Sequence, residues 1–155
     1  MSKHSDLARE LFRKGYNCSQ SVFAAFGDET KMDMDTALKI SSSFGGGMGR
    51  LREVCGAVSA MFMIAGIKYG YTSPQDDTAK AEHYQLIQML ACRFKEKNGS
   101  YICRELLGLP GTDSPVPQER TNEYYQTRPC EQLVGDAAEI LDELISGKSL
   151  PEENE

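Results

Sequence analysis

The sequence contains few side chains of the kinds that most often bind metals or move protons. Trp is absent, and His occurs only twice, as His4 and His83, in a chain of 155 residues. Imidazole is the commonest metal ligand and the side chain whose charge changes nearest neutral pH. Two isolated His residues are weak evidence for a site, so we interpret both as solvated helix residues. No acid–base pair or catalytic triad is visible either.

Positive charge and long apolar runs are also scarce. The 17 Lys and Arg residues are outnumbered by 23 Asp and Glu residues, and the net charge is −6. This balance gives no electrostatic case for binding nucleic acid or an anionic membrane. The longest apolar stretch, residues 54–67, is shorter than the roughly 20 residues that span a bilayer. Because the N-terminus also lacks the apolar core of a secretory signal, we expect a cytoplasmic protein without a nucleic-acid or membrane partner.

Three cofactor motifs are missing. A phosphate loop needs GxxxxGK[ST], a dinucleotide site needs a glycine motif after a strand, and attached haem needs CxxCH. None of these occurs, so neither a nucleotide nor a haem is expected. The five cysteines include no CxxC pair, and spacing alone therefore predicts no zinc or iron–sulfur site. Such a site would have to be assembled by the fold.

Apolar residues recur at helical spacing, and no segment alternates with the period of two that strands need. We predict an all-α fold, a single-domain bundle of about six helices around a buried central helix at about residues 53–68. The domain covers residues 1–150, and residues 151–155 form an acidic, frayed tail. The other predicted helices cover residues 6–14, 17–26, 33–43, 76–97, 101–107 and 128–145, with a loop over 108–122.

Local signals place several helix boundaries and faces. Asn17, followed three residues later by Gln, fits a capping box at the start of the second helix. Ser100 is expected to cap the short helix that follows it. The apolar periodicity predicts that Met34, Ile40 and Tyr84 face inward.

A glycine-rich loop, FGGGMGR, directly precedes the central helix. Its residues Gly45, Gly46 and Gly47 have two interpretations. Backbone N–H groups in such a loop can approach a bound anion or cluster, which would make these glycines cofactor-binding residues. The loop can equally be a tight turn that brings two helices close together, and we favour this packing interpretation.

The cysteines fall at particular places in the predicted helices. Four of the five lie in the first turn of a helix, namely Cys18, Cys55, Cys103 and Cys130. The free N–H groups and partial positive charge of a helix start stabilise a thiolate and lower the thiol pKa. Neighbouring arginines act in the same direction and neighbouring glutamates oppose it: Arg52, Arg104 and Arg128 against Glu53, Glu105 and Glu131.

A buried Cys can also be a small hydrophobic residue without chemistry. This interpretation is about as good as the functional one for any single Cys, and weaker for four at four helix starts. Cys92 lies in mid-helix between Ala91 and Arg93, and we assign it to the hydrophobic class.

The order of these motifs resembles a known family. Cys18 in GYNCSQSV, Cys55 in EVCGAVSA, Cys103 in SYICRELLG and Cys130 in RPCEQLV are similar to the pattern of the C–GCAxxG–C–C family of redox-active proteins from bacteria and archaea. The resemblance extends over about residues 7–144 and includes the glycine loop. It departs from the family at Ala60, where the CGAxxG motif has its final Gly.

The resemblance implies a redox module that also occurs fused within a multihaem-type electron-transfer protein, where its cysteines are associated with an iron–sulfur centre. It implies that the four motif cysteines are redox-active or, alternatively, ligands of an iron–sulfur cluster or Zn. The partner would be a redox protein that the sequence does not name. Whether the chain is an oxidoreductase, an electron carrier or a homo-oligomer stays open.

Two chemistries fit the redox hypothesis. In one, thiols form a reversible disulfide, with Cys55 as the accessible nucleophile. In the other, three or four thiolates hold a metal. A binding or assembly protein with structural cysteines is the alternative, and an enzyme that binds an anionic substrate at the glycine loop ranks last. A shared site requires the start of the central helix, with Cys55, to lie beside the other three helix starts.

Overall fold

The structure, a computed structural model, describes residues 2–147, and the predicted acidic tail at 151–155 lies outside them. Within residues 2–147 the chain forms helices and no strand, which confirms the all-α prediction. No helix in this range is long and apolar enough to cross a membrane. The helical segments are α1 (Lys3–Arg13), α2 (Cys18–Ala25), α3 (Gly27–Thr30), α4 (Met34–Ser42), α5 (Gly45–Met48), α6 (Gly56–Tyr69), α7 (Asp77–Asn98), α8 (Cys103–Leu107), α9 (Asn122–Thr127) and α10 (Cys130–Ile145).

The predicted central helix is α6, and it packs against α2, α7 and α10. Its first turns are fully buried, as Val58, Met61 and Ile64 show. Its last turn reaches the surface, where Ile67 is 45% exposed. The prediction of burial on all sides is therefore right for the first half of the helix and wrong for its end.

The start of α6 is fixed by backbone contacts with the segment before α8. Val54 pairs with Ile102 in an isolated antiparallel bridge. The Cys55 N–H donates to the Tyr101 carbonyl at 2.9 Å, and the Cys103 N–H donates to the Glu53 carbonyl. These bonds hold residues 53–55 in an extended conformation, so the helix begins at Gly56 rather than at residue 53. They also place the starts of α6 and α8 side by side.

The capping box at α2 is confirmed. The Asn17 side chain accepts a hydrogen bond from the Gln20 N–H, and the Gln20 side chain accepts one from the Asn17 N–H. The Asn17 side chain also donates to the Ser42 carbonyl at 3.1 Å. These bonds fix Cys18 as the first residue of α2 and tie this start to the end of α4.

Other local predictions are wrong. Met34, Ile40 and Tyr84 are exposed rather than inward-facing, because α4 and α7 bury other positions along their length. Ser100 does not cap α8: Ile102 is the N-cap residue, and the Ser100 hydroxyl instead accepts from the Ile102 N–H.

Helix α9 was not predicted from the sequence. It lies just beyond the proline-rich loop and has no apolar periodicity of its own. Its start is defined by Thr121, whose hydroxyl accepts a hydrogen bond from the Tyr124 N–H. The edge-to-face ring contact between Tyr125 and Phe12 packs the helix against α1. Tertiary packing, rather than local periodicity, therefore stabilises this short helix.

His4 is not the solvated residue that the sequence predicted. Its ring stacks on Phe26 with centroids 4.2 Å apart. Its Nδ1 and Nε2 atoms lie 2.6 Å from an Asp142 oxygen and 2.8 Å from an Asp28 oxygen. Burial lowers the pKa of His4, but the hydrogen bonds to Asp28 and Asp142 outweigh it and raise the pKa above its ordinary value. Protonated His4 thus links α1 to α3 and α10.

This link predicts a pH-dependent contribution to stability. A group with a raised folded pKa stabilises the fold fully below its unfolded pKa and loses that contribution as the pH rises through the folded pKa. His4→Gln should therefore cost about 1–3 kcal/mol of unfolding free energy below about pH 6.5 and less at higher pH. The measurement is chemical denaturation of both proteins across pH 5–9.

His83→Gln is the matched control, because His83 lies on α7 away from this link. It should not reproduce the pH-dependent difference. If His4→Gln lowers the free energy of unfolding by the same amount at every pH, the His4 ring packs in the fold but its charge does not contribute to stability.

Candidate functional site

One cavity of about 200 Å³ is lined by Cys18, Cys55, Cys103 and Cys130. These residues stand at the starts of α2, α6, α8 and α10. The start of the central helix therefore lies beside the other three helix starts, as a shared site requires. Cys92 lies elsewhere, on α7, where its thiol contacts the Glu96 carboxylate at 3.8 Å.

The glycine loop packs tightly against the starts of α2 and α8, as the packing interpretation predicted, whereas binding of an anion or cluster by its N–H groups stays a prediction. A Cβ atom on Gly45 would lie 2.3 Å from Asn17, and one on Gly47 would lie 2.6 Å from the Cβ of Cys103. Gly46 has a φ of +69°, and its N–H donates to the sulfur of Cys18. The loop thus lets the helix starts approach closely and supplies a donor to a thiolate.

The backbone after the loop remains in an unusual conformation. Arg50 and Arg52 have φ values of +67° and +62°, which residues with a side chain rarely adopt. Such strain persists where surrounding contacts impose it, often at functional sites. Both side chains line the cavity.

Cys18 and Cys55 interact directly with each other. The Cys55 thiol donates a hydrogen bond to the Cys18 sulfur and, together with the backbone N–H groups of Gly46, Ser19 and Gly56, lowers the pKa of Cys18 to about 6. Burial opposes this shift. The same hydrogen bond and burial raise the pKa of Cys55 well above its ordinary value. Cys18 is the thiolate of the pair and Cys55 is the donor.

This geometry corrects the sequence prediction that Cys55 is the accessible nucleophile. Cys55 is only 4% exposed and its thiol is held protonated. Cys18 is half-buried and carries the lowered pKa. The sequence did not reveal which of the two thiols is ionised, because most of the groups that donate hydrogen bonds to Cys18 come from residues distant in the chain.

The other two cysteines also differ from the prediction that all four helix starts lower the thiol pKa. Burial raises the pKa of Cys103, although Arg52 acts against it. Burial, with the charges of Cys18 and Cys103, raises the pKa of Cys130 to about 12. A helix start contributes only about half a unit charge, and desolvation of a thiolate outweighs it at these two positions.

The arginines near the cysteines behave in different ways. Arg52 Nη1 donates to the Cys103 sulfur at 3.5 Å, and its Nη2 donates to Asp113 at 3.1 Å. Arg128 lines the cavity. Arg104 instead pairs with Glu53 at 3.0 Å. The predicted influence of neighbouring arginines therefore applies to Arg52 and Arg128 only.

The three opposing glutamates have no role in the cavity. Glu53 pairs with Arg104, Glu105 accepts from Ser100, and Glu131 pairs with Arg13. None of the three glutamates is among the residues that line the cavity. The local charge near the thiols is therefore more positive than the sequence suggested.

Sequence reasoning missed Arg50 and Arg120, which also line the cavity. Arg120 donates to the carbonyls of Phe12 and Tyr16, both at 2.7 Å. Its guanidinium stacks on the Phe12 ring, 4.2 Å from the centroid. Arg120 follows the proline-rich loop and belongs to no motif. Only the long-range contact with α1 reveals its place.

The thiols supply the donor chemistry of an iron–sulfur or zinc site, because both are commonly held by four Cys sulfurs. Cys18, Cys55, Cys103 and Cys130 are the residues that would hold such a group. Among residues 2–147, however, no three His, Cys, Asp or Glu side chains converge as a group that could hold a metal ion. The four sulfurs are therefore ligands of the right kind, and they would have to move closer to one another to bind a single metal centre.

Helices that bring four thiols to one cavity define an all-α protein with a thiol-lined pocket. The sequence model of the family described as "Putative redox-active protein (C_GCAxxG_C_C)" matches residues 16–144. The chain belongs to this family, which its cysteine pattern had indicated. No curated protein and no solved structure matches the chain.

The close packing around Gly56 predicts that a single methyl group added there would lower stability and change the titration of Cys18. A Cβ atom at Gly56 would lie 2.5 Å from the Cys18 sulfur and 2.7 Å from the Phe44 carbonyl oxygen. Gly56→Ala should cost about 1–3 kcal/mol of stability through overpacking, and it should move the pKa of Cys18 upward. The measurements are denaturant unfolding and thiol titration.

Gly66→Ala is the matched control in the same helix, because a Cβ atom there meets nothing within 4 Å. It should leave the Cys18 titration unchanged and raise stability by roughly 0.5–1 kcal/mol, since Ala is the better helix former. Equal effects of the two substitutions on Cys18 would contradict the close contact.

Proposed function

We propose that this protein carries out thiol–disulfide redox chemistry, with Cys18 as the attacking thiolate and Cys55 as the resolving thiol. The observation that carries the proposal is the hydrogen bond from the Cys55 thiol to a Cys18 sulfur of lowered pKa. A thiolate is the nucleophile in disulfide exchange, and its pKa should lie near ambient pH for efficient attack.

The reaction has two steps. The Cys18 thiolate attacks one sulfur of a substrate disulfide, so that a mixed disulfide forms and the other substrate sulfur leaves as a thiolate. Cys55 then loses its proton to that leaving group and attacks the Cys18 sulfur, which expels the second substrate thiolate. Overall, one substrate disulfide gains two electrons and becomes one thiol and one thiolate, while Cys18 and Cys55 lose two electrons and become a disulfide. The reverse sequence oxidises a dithiol partner.

Cys103 and Cys130 support this division of roles. Both have raised pKa values and remain protonated at neutral pH. They therefore do not compete with Cys18 for the first attack, although they line the same cavity. The hydrogen bond from Arg52 would stabilise a thiolate at Cys103, so Cys103 is the easier of these two thiols to ionise.

The lowered pKa makes a direct prediction for the reactivity of Cys18. Its alkylation rate, followed residue by residue with mass spectrometry, should rise with pH through a midpoint of about 6, because only the thiolate reacts. In Cys55→Ala, which removes the donor, the midpoint should move toward the ordinary thiol value of about 8.5. Cys55→Ser keeps a hydroxyl donor and should show a smaller shift.

Cys92→Ser is the control, because Cys92 lies outside the cavity, and it should leave the midpoint unchanged. A midpoint near the ordinary thiol value in the unaltered protein would refute the proposed nucleophile.

Trapping the intermediate tests the order of attack. Cys55→Ser treated with a small disulfide should accumulate a mixed disulfide at Cys18, because the resolving sulfur is gone. The unaltered protein should instead yield a Cys18–Cys55 disulfide, identified by peptide mapping. A first adduct at Cys103 or Cys130 would overturn the assignment, and Cys18→Ser should prevent adduct formation at neutral pH.

A second candidate is a cysteine-ligated iron–sulfur or zinc centre for electron transfer. Two observations favour it: four thiols line one cavity, and the arginines of the same cavity would balance the negative charge of several thiolate ligands. When bound, an iron–sulfur cluster would supply one-electron transfer. Iron, zinc and acid-labile sulfide measured in anaerobically purified protein distinguish the candidates: near-stoichiometric metal that protects the cysteines from alkylation would favour the metal centre.

A further inference from the structure

The cavity has an unusual balance of charge for an acidic protein. Its lining includes four arginines and no Asp or Glu, in a chain with a net charge of −6. The arginines are Arg50, Arg52, Arg120 and Arg128. Positive charge is therefore concentrated where the thiols are, and walls of low dielectric strengthen its field.

Little negative charge offsets these arginines. Asp113 is shared by Arg50 and Arg52, at 3.0 and 3.1 Å. Over residues 2–147, no carboxylate lies within ion-pair distance of Arg120 or Arg128, and their hydrogen-bond partners are neutral: Arg120 binds two backbone carbonyls and Arg128 binds the Gln118 side chain. Even with Cys18 ionised, the cavity retains an excess of positive charge.

Arg52 provides a second, independent observation, a buried donor that no group of the described residues satisfies. Its side chain is only 6% exposed, and its Nε atom has no hydrogen-bond partner within the part of the chain that the structure describes. A buried polar group without a partner is costly and rare. This unpaired donor thus belongs to a residue that lines the cavity.

From these observations we infer that the substrate of the dithiol is a small anionic compound with a reducible S–S bond, such as a carboxylated disulfide or a polythionate. The inference rests on the proposed function, because it names the substrate class of the same pair, Cys18 and Cys55. Arginine suits carboxylate and sulfonate-like oxyanions, since its planar fork of N–H donors can bind two oxygens at once.

The volume of the cavity limits the substrate further. About 200 Å³ lies below the roughly 300–1,000 Å³ of pockets that bind drug-sized ligands. This volume favours a small substrate over a disulfide within a folded protein. A small dianion would fit, with its charged ends on arginines and its central S–S bond next to the thiolate.

Tetrathionate illustrates a balanced reaction. The Cys18 thiolate attacks a central sulfur and one thiosulfate leaves. Cys55 then gives up its proton and attacks the Cys18 sulfur, so that the second thiosulfate leaves and a Cys18–Cys55 disulfide remains. One tetrathionate gains two electrons to give two thiosulfates, the two cysteines lose two electrons, and one proton is released.

The test uses three disulfides of similar size and different charge: anionic dithiodiglycolate, neutral bis(2-hydroxyethyl) disulfide and cationic cystamine. Each is mixed with reduced protein, and formation of the Cys18–Cys55 disulfide is timed. Each rate is divided by the rate of the same reagent with dithiothreitol, which removes differences in intrinsic reactivity. The normalised rate should be at least tenfold higher for the dianion than for the dication, and this ratio should fall as salt increases.

Variants locate the effect in the cavity. Arg128→Gln should reduce the preference for the dianion severalfold, and Arg128→Lys should restore part of it by returning the charge. Arg50→Gln is a second variant in case Arg128→Gln fails to fold, as judged by circular dichroism. Arg93→Gln is the control, because Arg93 pairs with Glu96 on α7, outside the cavity, and it should keep the full preference.

The outcomes separate the two proposals. Equal normalised rates for all three reagents, with the expected disulfide formed, would overturn the inference about the substrate and leave the dithiol chemistry intact. A dianion preference that no cavity arginine changes would also overturn it. If none of the reagents, tetrathionate included, oxidises the pair, the proposed function itself is wrong.

Discussion

The close approach of the start of α2 to the start of α6 is the contact on which the rest of the site depends. Gly56 allows it, because any larger residue would collide with the Cys18 sulfur and the Phe44 carbonyl. At this separation the Cys55 thiol can donate to Cys18, and the two become one titrating unit. The capping box at Asn17 and the bridge between Val54 and Ile102 hold the two helix starts in place from either side.

The four thiols show how burial and hydrogen bonding compete at helix starts. Each thiol stands at the start of a helix, yet only Cys18 has a lowered pKa. Cys18 receives a thiol donor and three backbone N–H groups, which together outweigh desolvation. Cys130 has no comparable set of donors, and burial leaves its pKa at about 12. The dipole of a helix is thus a weaker influence than the number of hydrogen bonds aimed at the sulfur.

The sequence predicted much of the framework, because the signals involved are local. The capping box at Asn17 depends on residues three apart, and the breadth of the apolar face predicted that the first turns of α6 are buried. Predictions that depended on distant residues were less accurate. His4 was interpreted as solvated, since its partners Asp28 and Asp142 lie far along the chain. Helix α9 escaped prediction because its stability comes from packing on α1.

The sequence by itself determined that the chain is helical, that four cysteines stand at helix starts and that glycines flank one of them. These properties follow from periodicity, caps and the order of motifs. Only the tertiary structure decided which thiol is ionised and which charges surround it. Cys18 and Cys55 are paired through packing of α2 on α6, and Arg120 reaches the cavity from a loop that no motif marks. A pKa depends on every donor, charge and desolvating atom around a group, and these come together only when distant parts of the chain are folded.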